Sequence, residues 1–213
     1  MYLSRVEIDT KDRFRMSDLS QLGAYHAWVE NSFPEEIQNK IRSRKLWRID
    51  KFQGKMFLLI VSDSKPEKSF LEKYGVKDSS QSKEYEPILE KLREGQILRF
   101  KTTLNPVHSV STGKDSGKRG SVYPMVTIGQ KMEFLKNRAE LNGFSLEDND
   151  FYISDSVTDV LKKRDLKQER ISKVTYEGTL RITDLELFKK ALITGIGKKK
   201  AYGCGLLTVI PIS

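Results

Sequence analysis

The chain has a single cysteine, Cys204, among its 213 residues. One thiol excludes an internal disulfide framework and any CxxC metal motif. There are only two histidines, His26 and His108, and no HExxH or paired-carboxylate motif that would gather metal ligands, so no metal or other cofactor is expected. No apolar run approaches the roughly 20 residues of a membrane span. The opening MYLSRVEIDT has no basic head followed by an apolar core, so no signal peptide is expected and the cytoplasm is the expected compartment. Positive charge, by contrast, is in excess. Lys plus Arg number 38 against 29 Asp plus Glu, a formal charge of +9 with a pI near 9.4. That surplus suits a polyanionic partner (RNA, DNA or an anionic membrane) and equally suits plain solubility. The length allows one large domain or two small ones, either able to bury a core.

Residues 2–9 read as a strand on Leu3, Val6 and Ile8. Asp18 is placed to cap a helix running to Phe33, where Pro34 follows. Residues 46–52 and 56–62 read as a hairpin around Gly54. A short helix at 67–74, a polar loop at 75–85, a helical turn at 88–93 and a strand at 96–104 complete a β-α-β-β-α-β order, the ferredoxin-like arrangement. Residues 105–124, rich in Gly, Ser and Pro, read as a long loop between two halves. A helix at 129–142, stopped by Gly143, is followed by strands at 151–155 and 173–183. Asp184 caps a further helix, and a last strand covers 206–211, with a first strand of this half at 121–128. The expected fold is α+β, two tandem ferredoxin-like (RRM-like) domains: 1–106, a linker at 107–120, and 121–213.

The segment GIGKKKAYGCGLL, residues 195–207, joins helix to strand. Gly195, Gly197, Gly203 and Gly205 permit sharp turns with bare N–H groups, and Lys198, Lys199 and Lys200 surround them with charge. Phosphate oxygens suit that combination; a plain connection with solvated lysines suits it as well. It is neither a Walker loop, lacking GK[ST] before a helix, nor a dinucleotide fingerprint, since the glycines follow a helix.

The stretch YEGTLRITDLELFKKALITGIGKKKAYGCGLLTVIP resembles the C-terminal signature of the CRISPR repeat-processing endoribonucleases, and more narrowly their CasE branch from the type I-E Cascade complex. The opening MYLSRV, the strand end LRFKTTLNP and the helix carrying His26 up to FP fit the same family. The resemblance implies tandem ferredoxin-like domains and binding of a CRISPR repeat stem-loop. It implies one metal-independent cut at the 3′ base of the stem, by 2′-OH attack that leaves a 2′,3′-cyclic phosphate. It also implies that the protein stays on the crRNA as a subunit of Cascade, with other Cascade subunits as partners, no membrane partner, and a monomer in isolation.

His26 matches the position of the family's general acid/base histidine. Residues 19, 22, 26, 29 and 33 share one helical face, so a partly buried core histidine fits the same spacing. An imidazole suits either proton-transfer role near neutral pH. The family pattern places a tyrosine three residues earlier; this chain has Gly23, which leaves a non-catalytic stem-loop-binding subunit as the alternative. Partners for His26 are sought in LKKRDLKQERISK, residues 161–173, with six positive charges and two negative. Lys167 and Lys173 are the catalytic candidates. Lys162, Lys163, Arg164 and Arg170 are taken as RNA contacts, together with Lys198, Lys199, Lys200, the four loop glycines and Arg44. Lys40, Arg42, Lys45 and Arg48 join Arg44 as a second phosphate track. Lys114, Lys118 and Arg119 are placed to close on RNA, His108 is an ordinary surface residue, and Cys204 is a packing residue. Recognition by shape and phosphates makes steeply salt-dependent affinity the expectation.

Overall fold

The computed structural model describes residues 1–110, 121–162 and 168–212. Strand β1 (Tyr2–Glu7) is followed by three helices, α1 (Arg13–Asp18), α2 (Leu22–Asn31) and α3 (Pro34–Gln38). A hairpin of β2 (Lys45–Phe52) and β3 (Lys55–Ser62), a short helix α4 (Lys68–Leu71) and β4 (Gln81–Glu84) complete one sheet in the order β2-β3-β1-β4. That order is the ferredoxin-like one. Side chains alternate along β3: Leu58 and Ile60 pack under the helices with Trp28 and Val29, while Val61 and Leu46 of β2 join the core of the other half. Both faces of the sheet are therefore covered. Buried Trp28 donates its indole N–H to the carbonyls of Phe70 (3.3 Å) and Leu71 (3.2 Å), tying α2 to α4.

After α5 (Glu86–Glu90), the second unit begins with β5 (Ile97–Leu104) and a two-stranded hairpin, β6 (Val107–Val110) with β7 (Ser121–Pro124). Helix α6 (Ile128–Ala139), strands β8 (Phe144–Ser145), β9 (Phe151–Lys162) and β10 (Gln168–Ile182), helix α7 (Leu185–Thr194) and β11 (Leu207–Pro211) follow. The sheet order is β11-β5-β10-β8, with β9 also paired to β10. This is the ferredoxin-like order again, so the tandem α+β reading holds. Thr127 caps α6 through a reciprocal capping box with Gln130, and Asp184 accepts from the Leu187 N–H at 2.9 Å.

The partition of the chain differs from the one expected. The strand placed at 96–104 as the last of the first domain pairs with β10 and β11, and so opens the second unit. The closing strand of the first unit is β4, four polar residues paired with β1 and joined to it by a hydrogen bond between the Ser4 and Ser82 hydroxyls at 2.8 Å. Its polar composition hid it among loop residues. The boundary thus lies between β4 and β5, and the expected division into 1–106, 107–120 and 121–213 is corrected accordingly. Residues 107–110, expected as part of the link between the halves, instead form β6 of the β6–β7 hairpin inside the second unit. Residues 121–124, expected to begin the second half, are its return strand. Asp18 ends α1 rather than capping α2.

Candidate active site

Helix α2 buries Leu22, Trp28 and Val29. Its second-unit side meets β9 and the single helical turn at residues 200–202. There Leu22 clusters with Leu161 of β9, Ile171 of β10 and the ring of Tyr202. One turn on from Leu22, His26 presents its ring to the edge of Tyr202, with centroids 5.9 Å apart and planes at 62°. The His26 side chain is 31% exposed, so the imidazole is neither sealed in the core nor free in solvent. Its Nδ1 lies 3.9 Å from Oε1 of Glu30, the next turn of the same helix. Glu30 is held in turn: its Oε2 is 3.5 Å from Nζ of buried Lys45, which pairs with Glu36 at 2.8 Å. Burial raises the Glu36 pKa, but hydrogen bonds from Lys45, Ser64 and Ser43 outweigh it and hold the carboxyl down at about 2.

The glycine-lysine loop folds back on itself beside this helix. Gly195 has φ +74°, and a Cβ there would stand 2.6 Å from Leu46 Cδ2. Its N–H donates to Ala191, the Ile196 N–H to Gly205, and the Gly205 N–H to Thr103. Gly195, Gly203 and Gly205 are buried, and Gly197 is exposed. The expectation of bare amides awaiting phosphate is therefore corrected for Gly195 and Gly205, whose N–H groups are engaged inside the protein. Lys200 Nζ donates to the carbonyls of Thr194 (2.6 Å) and Gly195 (2.7 Å), closing the C-terminus of α7. Burial, with Arg44 nearby, lowers its pKa. Exposed Arg44 donates to the same Thr194 carbonyl at 3.1 Å. Lys199 pairs with Glu169 of β10 and lies 5.9 Å over the Tyr202 ring. Lys198 is exposed.

Within the charged stretch, residues 161–162 end β9 and residues 168–173 begin β10, paired to each other. Register places Asp159, Leu161, Glu169, Ile171 and Lys173 on the face toward α2, and Arg170, opposite Val160, on the exposed face. The ammonium of Lys173 pairs with Asp159 at 2.9 Å and sits 5.8 Å over the Trp47 ring. It lines a cleft of about 570 Å³ with Tyr25, Trp47 and Thr175. Burial, and then Asp159, raise the Tyr25 pKa. Lys173 thus lies on the Tyr25 side of α2, held by a carboxylate. Lys163, Arg164 and Lys167 lie outside the described residues, as do Lys114, Lys118, Arg119 and the side chain of Lys162.

The second phosphate track is also corrected. Lys45 and Arg48 are buried and ion-paired, Arg48 with Asp50 at 2.7 Å. Lys40 and Arg42 are exposed. His108 is exposed on β6 and stacks on Tyr123 across the hairpin, and Cys204 is fully buried, its thiol pushed up to about 11 by burial. Two residues escaped sequence reasoning. Glu30 was legible as an i,i+4 neighbour of His26. Tyr202, 176 residues downstream of His26, carried no local signal.

The family model described as CRISPR associated protein matches residues 1–211. The CRISPR-associated endoribonuclease Cse3 of Thermus thermophilus is 27% identical, over 99% of this chain and 100% of its own length. A solved structure of CRISPR endoribonuclease Cse3 bound to 19 nt RNA superposes with a TM-score of 0.80 at 26% identity, over 99% of this chain and 100% of that one. A chain of a CRISPR RNA-guided surveillance complex, in a pre-nicking state, shares the fold at TM-score 0.71 and 20% identity, with full coverage of both chains.

Proposed function

The chain belongs to the CRISPR-associated protein family, and from that premise we propose that it is an endoribonuclease that binds the stem-loop of CRISPR repeat RNA and cuts at the 3′ base of the stem. The observation that carries the reading is the position of His26: a partly exposed imidazole at the seam of two ferredoxin-like units, with the basic β9–β10 hairpin and the lysine loop beside it. The full-length likeness to an RNA-bound endoribonuclease supports it. In this reading the reaction is a metal-independent transesterification. The ribose 2′-OH loses its proton and attacks phosphorus, the P–O5′ bond breaks, and O5′ takes up a proton. The products are a 2′,3′-cyclic phosphate and a 5′-OH. His26 performs one of the two proton transfers, and Glu30 beside Nδ1 leaves Nε2 for the RNA. Exposed Arg170, Lys198 and Arg44 offer phosphate contacts. Likeness to a chain of a surveillance complex supports retention on the crRNA among other Cascade subunits.

The test is cleavage of a repeat stem-loop RNA in excess EDTA, with mass analysis of the 3′ end. The wild type should cut once and leave a cyclic phosphate. His26→Ala should lose about 10²-fold or more in rate while still binding RNA, as removal of a general acid or base does. A 2′-deoxy nucleotide at the cut should bind and stay intact. Stoichiometric binding without turnover by the wild type would instead establish the non-catalytic reading, which the glycine at position 23 favours.

A further inference from the structure

One imidazole does not complete this reaction, because negative charge also builds on the non-bridging phosphate oxygens as O2′ attacks and needs a positioned donor. Among the described residues, three lysines around this seam are engaged with protein oxygens: Lys173 with Asp159, Lys199 with Glu169, and Lys200 with the carbonyls that end α7. The side chain that faces the His26 ring from the second unit is Tyr202. Its ring packs on Leu22, Leu161 and Ile171, while its hydroxyl has no hydrogen-bond partner among the described residues. The fold therefore uses the ring and leaves the O–H available. The turn that carries it is held firmly, because the Trp47 indole N–H donates to the Ala201 carbonyl at 3.2 Å and the Tyr202 N–H to Lys199 at 2.9 Å. At position 23, one turn before His26, there is room, since a built Cβ would meet only Leu161 Cδ1, at 4.0 Å.

We propose that Tyr202 is the second catalytic residue of this site, its phenol O–H donating a hydrogen bond to a non-bridging oxygen of the phosphate that His26 acts on. The inference rests on the endoribonuclease reading above. Tyr202 exchanges no proton: the 2′-OH proton departs, O2′–P forms, P–O5′ breaks and O5′ is protonated, with the phenol intact throughout. The sequence thus supplies from its glycine loop a hydroxyl that the catalytic helix lacks at position 23.

Tyr202→Phe deletes one oxygen and keeps the packed ring. Single-turnover cleavage at saturating protein should fall by about 10²-fold, the usual loss for one donor to a developing oxyanion. Melting temperature and affinity for a 2′-deoxy, uncleavable RNA should stay at wild-type values. Tyr202→Ala should lose stability as well as rate. Wild-type rates in Tyr202→Phe would overturn the proposal, and so would a variant that binds more weakly but cuts normally once saturated, since Tyr202 would then be a binding contact only. A wild type that does not cut at all overturns the endoribonuclease reading itself, an outcome distinguishable from either.

Discussion

Gly203 shows how closely the loop motif is tied to the fold. Its φ is +78°, and a Cβ there would stand 2.8 Å from Cζ3 of Trp47, a ring that is 1% exposed. The neighbour cannot yield, because its indole N–H is anchored to Ala201. Gly203→Ala should therefore cost about 3 kcal/mol, combining left-handed strain with overpacking. Gly197 has φ +76° but nothing within 4 Å of a built Cβ, so Gly197→Ala should cost only the strain, about 1 kcal/mol. Urea unfolding of the two variants checks the contrast, and equal losses would separate the motif from Trp47 packing. The motif was legible in the chain as a string of glycines. Its physical reason was not, because Trp47 and Leu46 are about 150 residues away in sequence.

At the scale of elements, α2 is positioned by a chain of charges. Glu36 of α3 holds Lys45 of β2, and Lys45 approaches Glu30 of α2 on the way to His26. The pKa of Glu36 in the folded chain is about 2, below its ordinary 4.5. A depressed carboxylate pKa contributes stability that is present above about pH 4.5 and lost as pH falls toward 2. Glu36→Gln should flatten the acid limb of the stability profile in that window. It should also cost about 3 kcal/mol at neutral pH, because Lys45 then stays buried without its main partner. Unfolding measured from pH 2 to 7 checks both. Helices α2 and α6 were legible from apolar spacing, and α7 from its Asp184 cap. Strand β4 was not, since its polar residues Gln81–Glu84 owe their strand to pairing with β1.

Across the whole molecule, Arg48 joins the units. All five of its donor N–H bonds are used: two on Asp50, one each on the carbonyls of Lys101 and Leu206, and one on the Thr208 hydroxyl. The guanidinium leaves the first sheet and ends on β5 and β11 of the second. Arg48→Met should destabilise the protein by about 3 kcal/mol, since Asp50 loses its bidentate partner and keeps only Lys101, at 3.6 Å. It should also weaken the coupling of the units. Tryptophan fluorescence reports the first unit and its seam with the second, through Trp28 and Trp47, and far-ultraviolet dichroism reports both units whole. The two melts should coincide in the wild type and separate in Arg48→Met. In the sequence, Arg48 read as part of a phosphate track, because its partners across the units are two backbone carbonyls and a hydroxyl that no pattern of residue types announces.

The three longer helices, the Asp184 cap of α7 and the basic surplus were determined by the sequence alone, because periodicity, capping and net charge are local or additive properties. Which strand belongs to which sheet, which lysines remain available to a phosphate, and that Tyr202 meets His26 were decided only by the tertiary structure. Those outcomes depend on pairing and ion contacts between residues far apart in the chain. The energy of such contacts exists only once the two units have closed on each other.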